Sequence, residues 1–184
     1  FINTYRENRV NYGIPEFQRN YTWNDKQIEH FFDSLLRKYP IPRFFTWRTY
    51  EVPSISMTYF STRFDGKYRS EPGDAFVEDD YTASPNTLAI CDGQQRLTSL
   101  LIGIQGYNIS SNQVPKYLYY NVFTPEDDLD GSKFKILSEK DAAYQTVDEF
   151  YIKASEVYDL IKEYASRTLS DLKKELINRY KIED

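Results

Sequence analysis

The sequence predicts an α/β fold, a small mixed sheet with helices packed on it. Three observations point there: an amphipathic helix at residues 25–38, a strand–turn–helix pattern at 87–106, and aromatic, β-branched stretches elsewhere. The chain has 184 residues, with 40% hydrophobic and 28% charged, which suits one domain or one domain and part of another and supplies enough apolar side chain for a core.

The helix is the clearest element. Asn24 is placed as its N-cap with Gln27 in the capping-box position, and Trp23 and Ile28 can staple its start. Ile28, Phe31, Phe32, Leu35 and Leu36 fall on one face, and Pro40 and Pro42 follow as stop signals. Residues 43–64 read as two or three strands ending at an Asp65-Gly66 turn. Residues 69–86 are acidic, contain Pro72, Gly73 and Pro85, show no period, and read as a surface loop insertion. Residues 87–91 suit a buried strand, broken at Asp92-Gly93, after which Leu97, Leu100, Leu101 and Ile104 recur at helical spacing. Residues 116–123 and 133–137 read as further strands. From Thr146 the pattern turns helical: Thr146 and Glu149 form a capping-box pair ahead of Phe150, Ala154, Val157 and Ile161, and Ser170 starts a last helix. The expected organisation is a domain over residues 1–145 and a helical segment over 146–184 that either packs as a layer or opens a second domain.

Composition narrows the function. Lys and Arg number 23 against 28 Asp and Glu, a net charge of −5, which disfavours a domain that coats nucleic acid nonspecifically yet leaves room for a local basic pocket. One cysteine, Cys91, excludes an intrachain disulfide framework, and one histidine, His30, excludes chemistry that needs two. No apolar run is long enough for a bilayer and the start lacks a signal peptide's apolar stretch, so a soluble cytoplasmic protein is expected. The missing initiating Met and the charged helical end read as an excised piece. The 17 Tyr, 12 Phe and 2 Trp fit an amphipathic core rim or a surface that stacks bases.

The chemistry concentrates at Asp92-Gly93-Gln94-Gln95-Arg96. A helix N-terminus after a glycine turn offers unpaired N–H groups and partial positive charge to a phosphate. Arg96 can add bidentate hydrogen bonds, Gln94 and Gln95 neutral donors, and Asp92 a ligand for Mg²⁺ or an anchor for a water. The bland alternative is a strand end, a tight turn and a surface arginine. Upstream, Ile14-Pro15-Glu16-Phe17-Gln18-Arg19-Asn20-Tyr21-Thr22-Trp23 packs further polar and aromatic groups before the first helix. Arg19 could join Arg96 around a polyphosphate and Tyr21 or Trp23 could stack on a base, although stapling already explains Trp23.

These two segments together resemble the paired motifs of the N-terminal domain of GmrSD-type modification-dependent restriction endonucleases. The stretch from Lys135 to Leu137 followed by Asp141 is similar to the family's strand-then-Asp segment, while Cys91 stands where the family usually has Ile or Val, and the stretch between the motifs is longer and more acidic than usual. The resemblance implies a ParB/sulfiredoxin-like fold and binding and hydrolysis of a nucleoside triphosphate with Mg²⁺. Asp92 and Gln95 are then the catalytic candidates, Asp92 also the metal ligand, and Gln18, Arg19, Tyr21, Gly93, Gln94 and Arg96 the nucleotide contacts. It further implies foreign DNA as a partner of the full-length protein, and a nuclease domain or subunit elsewhere, since His30 alone cannot supply a His/Asn nuclease site. A recognition module for modified DNA or a nucleotide signal, without turnover, and an inactive adaptor are the alternatives.

Overall fold

The computed structural model describes residues 12–19, 21–58, 85–105, 108–109, 114–123, 133–144 and 149–157, together with Asp171, Lys174, Glu175, Asn178 and Arg179. It is a mixed α/β structure with two small sheets. In the first, β1 (Tyr12–Pro15) runs parallel to β4 (Leu88–Asp92), with Tyr12 opposite Leu88 and Gly13 opposite Ala89. Two antiparallel strands complete it, β2 (Phe45–Arg48) beside β4 and β3 (Met57–Thr58) beside β1, in the order β2-β4-β1-β3. Ala89 and Ile90 on β4 are both 0% exposed, so that strand is buried on both faces, as its unbroken apolar run requires.

The second sheet is built on β6 (Pro115–Asn121). Strand β7 (Phe134–Ser138) pairs antiparallel along one edge of β6, while β5 (Asn108–Ile109) and β8 (Tyr151–Lys153) share the other. Strand β8 corrects the expectation of helix from Thr146 onward. Glu149 does not lie in a helical first turn; it borders β8, its carboxylate accepting from the Tyr151 hydroxyl at 2.8 Å. The physical reason is the open edge of β6: Tyr119, Tyr120 and Asn121 pair with Lys153, Ile152 and Tyr151. The Asn121 side chain also accepts from the Phe150 N–H at 3.0 Å, and the Val122 N–H donates to the Phe150 carbonyl at 2.9 Å. Helix begins only at residues 154–157. Of the helix expected from Ser170, Asp171, Lys174, Glu175, Asn178 and Arg179 are helical and the rest lies outside the described residues. The expected Asp65-Gly66 turn and all of the 69–86 insertion except Pro85 and Asn86 also fall outside them.

Helix α1 (Asp25–Leu36) starts as the sequence predicts, with the reciprocal Asn24–Gln27 capping box formed. Trp23 packs edge-on against Phe31, ring centroids 5.4 Å apart, and joins the cluster that contains Ile28. The helix ends before the prolines, because Lys38 turns left-handed (φ 58°) and the Tyr39 N–H reaches back to the Ser34 carbonyl. Leu36, in that last turn, is 45% exposed rather than part of the core face. Glu29 is buried on this helix and accepts the Ile136 N–H of β7 at 2.9 Å, so the outer edge of β7 meets a carboxylate where a further strand would otherwise pair.

Helix α2 (Gln94–Gln105) serves both halves of the molecule. Leu97 and Leu101 join Ile14 and Ile90 of the first sheet, whereas Ile102 joins Phe31, Phe32, Leu118 and Phe134 in the larger core. Gly103 makes the second contact possible: a Cβ there would run into the Phe32 ring and the Leu118 side chain. A short third helix, α3 (Glu139–Ala142), follows β7 and is capped by Ser138, whose Oγ accepts the Asp141 N–H at 3.1 Å.

Two outcomes follow from this packing. Gly103→Ala should overpack the contact between α2, Phe32 and Leu118 and destabilise the fold by about 1–3 kcal/mol, read as a lower urea midpoint at unchanged slope. Tyr119 and Tyr151 are pushed from the usual 10 up to about 12, first by burial, then by Glu139 for Tyr119 and by the hydrogen bond to Glu149 for Tyr151. Because the folded state holds these protons more tightly than the unfolded chain, their contribution to stability is full below pH 10 and is lost as pH rises toward about 12. Urea unfolding across that window should show falling stability, with a shallower fall in Tyr119→Phe.

Candidate functional site

Strands β1 and β4 are parallel neighbours, so the segments that leave their C-terminal ends emerge at the same end of the sheet. After β1 the chain turns at residues 15–18, the Gln18 N–H donating to the Pro15 carbonyl at 2.9 Å, and then runs to α1. After β4 it turns at Gly93 into α2. Open α/β sheets place ligands outside the carboxyl ends of parallel strands, and the Gln18-Arg19 and Asp92–Arg96 motifs meet at such an end.

Three long-range hydrogen bonds tie the two segments together. Gln18 Nε2 donates to the Cys91 carbonyl at 2.7 Å, and the Thr22 N–H donates to Gln95 Oε1 at 2.9 Å. The Tyr21 hydroxyl pairs with Ser99 Oγ at 2.8 Å inside the protein, and Ser99 Oγ also donates to the Gln95 carbonyl at 2.8 Å. Tyr21 is 4% exposed and belongs to the larger core, so its ring face is closed to a ligand. Trp23 is likewise packed on Phe31. Arg19 lies on the exposed face of the turn, with no hydrogen bond or ion pair among the described residues.

Gly93 has φ +91°, a left-handed conformation that favours glycine, and a Cβ there would collide with the Phe44 ring. The Leu97 N–H closes the first helical hydrogen bond on the Gly93 carbonyl at 2.9 Å, so within α2 the N–H groups of Gln94 and Arg96 have no carbonyl to meet. Gln94 and Gln95 are themselves buried.

Arg96 is the most constrained charged group of the loop. Its Nη2 donates to the Arg43 carbonyl and to Asp92 Oδ2, each at 3.1 Å, and its guanidinium carbon lies 5.3 Å from the centre of the Phe44 ring. The Arg96 side chain is 15% exposed, whereas its partner Asp92 is 68% exposed. Arg96 Nε and Thr98 Oγ1 are buried with no partner among the described residues. An unpaired guanidinium N–H beside a helix start is a donor set that fits a phosphate oxygen. For a cation the fit is narrower: among the described residues no three His, Cys, Asp or Glu side chains gather, and Asp92 is the carboxylate at the loop. A Mg²⁺ here would lean on phosphate oxygens and one carboxylate, a common arrangement for that ion.

Arg43 and Phe44 were not among the sequence candidates. A signal was present in the aromatic run Phe44-Phe45 beside Arg43, but nothing in the sequence shows that β2 enters the sheet next to β4. Asp141 lies within α3, its carboxylate accepting from the capping Ser138 Oγ at 2.7 Å, while Cys91 is half-buried with its thiol directed to the Ala89 carbonyl. His30 lies on the exposed side of α1.

The geometry defines an α/β domain with a strand–turn–helix loop at the carboxyl end of two parallel strands. The chain belongs to a known family: it matches the N-terminal domain of the GmrSD restriction endonuclease over residues 1–184. It is also similar to an uncharacterised protein of the archaeon Methanocaldococcus jannaschii, 29% identical over 127 residues, or 67% of this chain and 20% of that protein. The chain thus spans about a fifth of the length of that relative. Among the described residues, no helix is long and apolar enough to cross a membrane.

Proposed function

We propose that this domain binds a nucleoside triphosphate at the Asp92–Arg96 loop, hydrolyses it, and thereby controls a nuclease activity located elsewhere in a restriction system. The observation that carries the reading is Arg96, almost enclosed at the start of α2, with a buried Nε–H that lacks a partner among the described residues. The enclosure matters because a charged hydrogen bond gains strength where water is excluded. The N–H groups of the first turn of α2 and the Arg96 guanidinium take the phosphates, with Gln94 beside them and Arg19 approaching from the exposed turn. Gln18 and Gln95 hold the loop through Cys91 and Thr22, and Gln95 orients the attacking water from that fixed position. Asp92 pairs with Arg96 at 3.1 Å; a phosphate that takes over the arginine releases this exposed carboxylate to hold Mg²⁺ or the water. Mg²⁺ would supply neutralisation of the phosphate charge. Family membership supports the restriction context, with foreign DNA engaged by the longer protein; a net charge of −5 argues against this domain as the main DNA-coating surface.

Calorimetry with each common ribonucleoside triphosphate in Mg²⁺ tests the proposal. The wild type should bind at least one of them, and Arg96→Ala should lose about one to two decades of affinity, equivalent to roughly 1.5–3 kcal/mol for a charge-assisted hydrogen bond. Asp92→Asn should keep most of the binding and lose turnover. No heat from any triphosphate with folded protein would favour an adaptor without nucleotide chemistry.

A further inference from the structure

The base of the nucleotide has no place at Tyr21, which is sealed in the core, or at Trp23, which is packed on Phe31. Strand β2 offers one. It is the edge strand beside β4, and all its side chains are exposed, Phe45 at 63% and Trp47 at 51%. Phe45 stands directly opposite Asp92, while Thr46 stands opposite Ile90, so Cys91 is the extra residue of a bulge. Directly opposed residues place their side chains on one face of a sheet, and residues two apart on a strand share a face about 7 Å apart. Phe45 therefore adjoins the Asp92 carboxylate, with Trp47 one step further along the same face. Phe44, the residue before β2, covers Gly93 and lies 5.3 Å from the Arg96 guanidinium carbon.

Resting on the phosphate site proposed above, we infer that Phe45 and Trp47 form the platform on which the base of the bound nucleotide stacks. Single exposed aromatics need no explanation, but Phe45 and Trp47 share one face of a strand whose first residue pairs with Asp92 of the phosphate loop. Every base has a π-face, so such a platform accepts any of them and favours purines through their larger area. No hydrogen-bonding side chain is required for that preference. The ligand class is a purine nucleoside triphosphate, with phosphates at Arg96 and base on β2.

Parallel titrations with ATP and with inorganic tripolyphosphate separate base from phosphate. Phe45→Ala and Trp47→Ala should each weaken ATP about tenfold and leave tripolyphosphate within about twofold, because stacking energies per base are of that order. Arg96→Ala should weaken both ligands. Phe45→Tyr should restore ATP binding, and circular dichroism should confirm that each variant is folded. The chain has 2 tryptophans, so fluorescence gives a direct reading: ATP should quench emission in Trp23→Phe and leave it unchanged in Trp47→Phe. If tripolyphosphate and ATP bind and depend on Arg96 while Phe45→Ala and Trp47→Ala bind ATP normally, the platform is wrong and the phosphate site stands. Equal weakening of both ligands by Phe45→Ala would also overturn it, assigning Phe45 to loop structure. If the folded wild type binds neither ligand, the phosphate site and the platform fail together.

Discussion

The arrangement depends on the parallel pairing of β1 with β4. Each strand is short, and the two are far apart in the chain, yet the register that sets Tyr12 opposite Leu88 and Gly13 opposite Ala89 sends both chain exits to one end of the sheet. The contacts between the two motifs follow from that register. The turn after β1 can reach the Cys91 carbonyl through Gln18, the Thr22 N–H can meet Gln95, and the Tyr21 hydroxyl can meet Ser99. A shift of one residue would send the buried side chains of β4 to the opposite faces and break these contacts together.

Helix α2 makes the loop rigid because it is held at both ends of its length. Its N-terminal part packs on the first sheet through Leu97 and Leu101, and its C-terminal part packs on the second through Ile102 and Gly103. The charged residues at its start inherit this rigidity. Arg96 is fixed by a carbonyl, a carboxylate and an aromatic ring, so its side chain is ordered before any ligand arrives. Preorganisation of this kind lowers the entropy cost of binding. Asp92, its partner in the ion pair, is by comparison exposed.

Much of this was legible in the sequence because local rules decide it. Asn24 and Gln27 announce the start of α1, and the Asp92-Gly93 pair announces the turn into α2, where a positive φ demands glycine. The resemblance of the two motifs to a known family found the family that the whole chain matches. What stayed hidden is non-local. The sequence shows Tyr21 as an aromatic near a polar motif, but only the tertiary fold shows that the core consumes it, whereas the staple already accounts for Trp23. The capping pattern at Thr146 and Glu149 reads as helix locally, yet the unpaired edge of β6 draws Tyr151–Lys153 into a strand. Phe44 and Arg43 acquire a role only when β2 joins β4, and Gly103 shows no turn signal because its constraint comes from Phe32 and Leu118.

The central claim is that the exits of β1 and β4 act as one anion-binding unit. Amide hydrogen exchange, followed residue by residue with and without tripolyphosphate, tests it most directly. The account predicts that the Thr22 N–H is already protected in the free protein by Gln95, and that tripolyphosphate slows exchange at Gln94, Gln95 and Arg96 together with Gln18, Arg19 and Thr22. Fast exchange at Thr22 in the free protein, or ligand protection confined to residues remote from both segments, would contradict it.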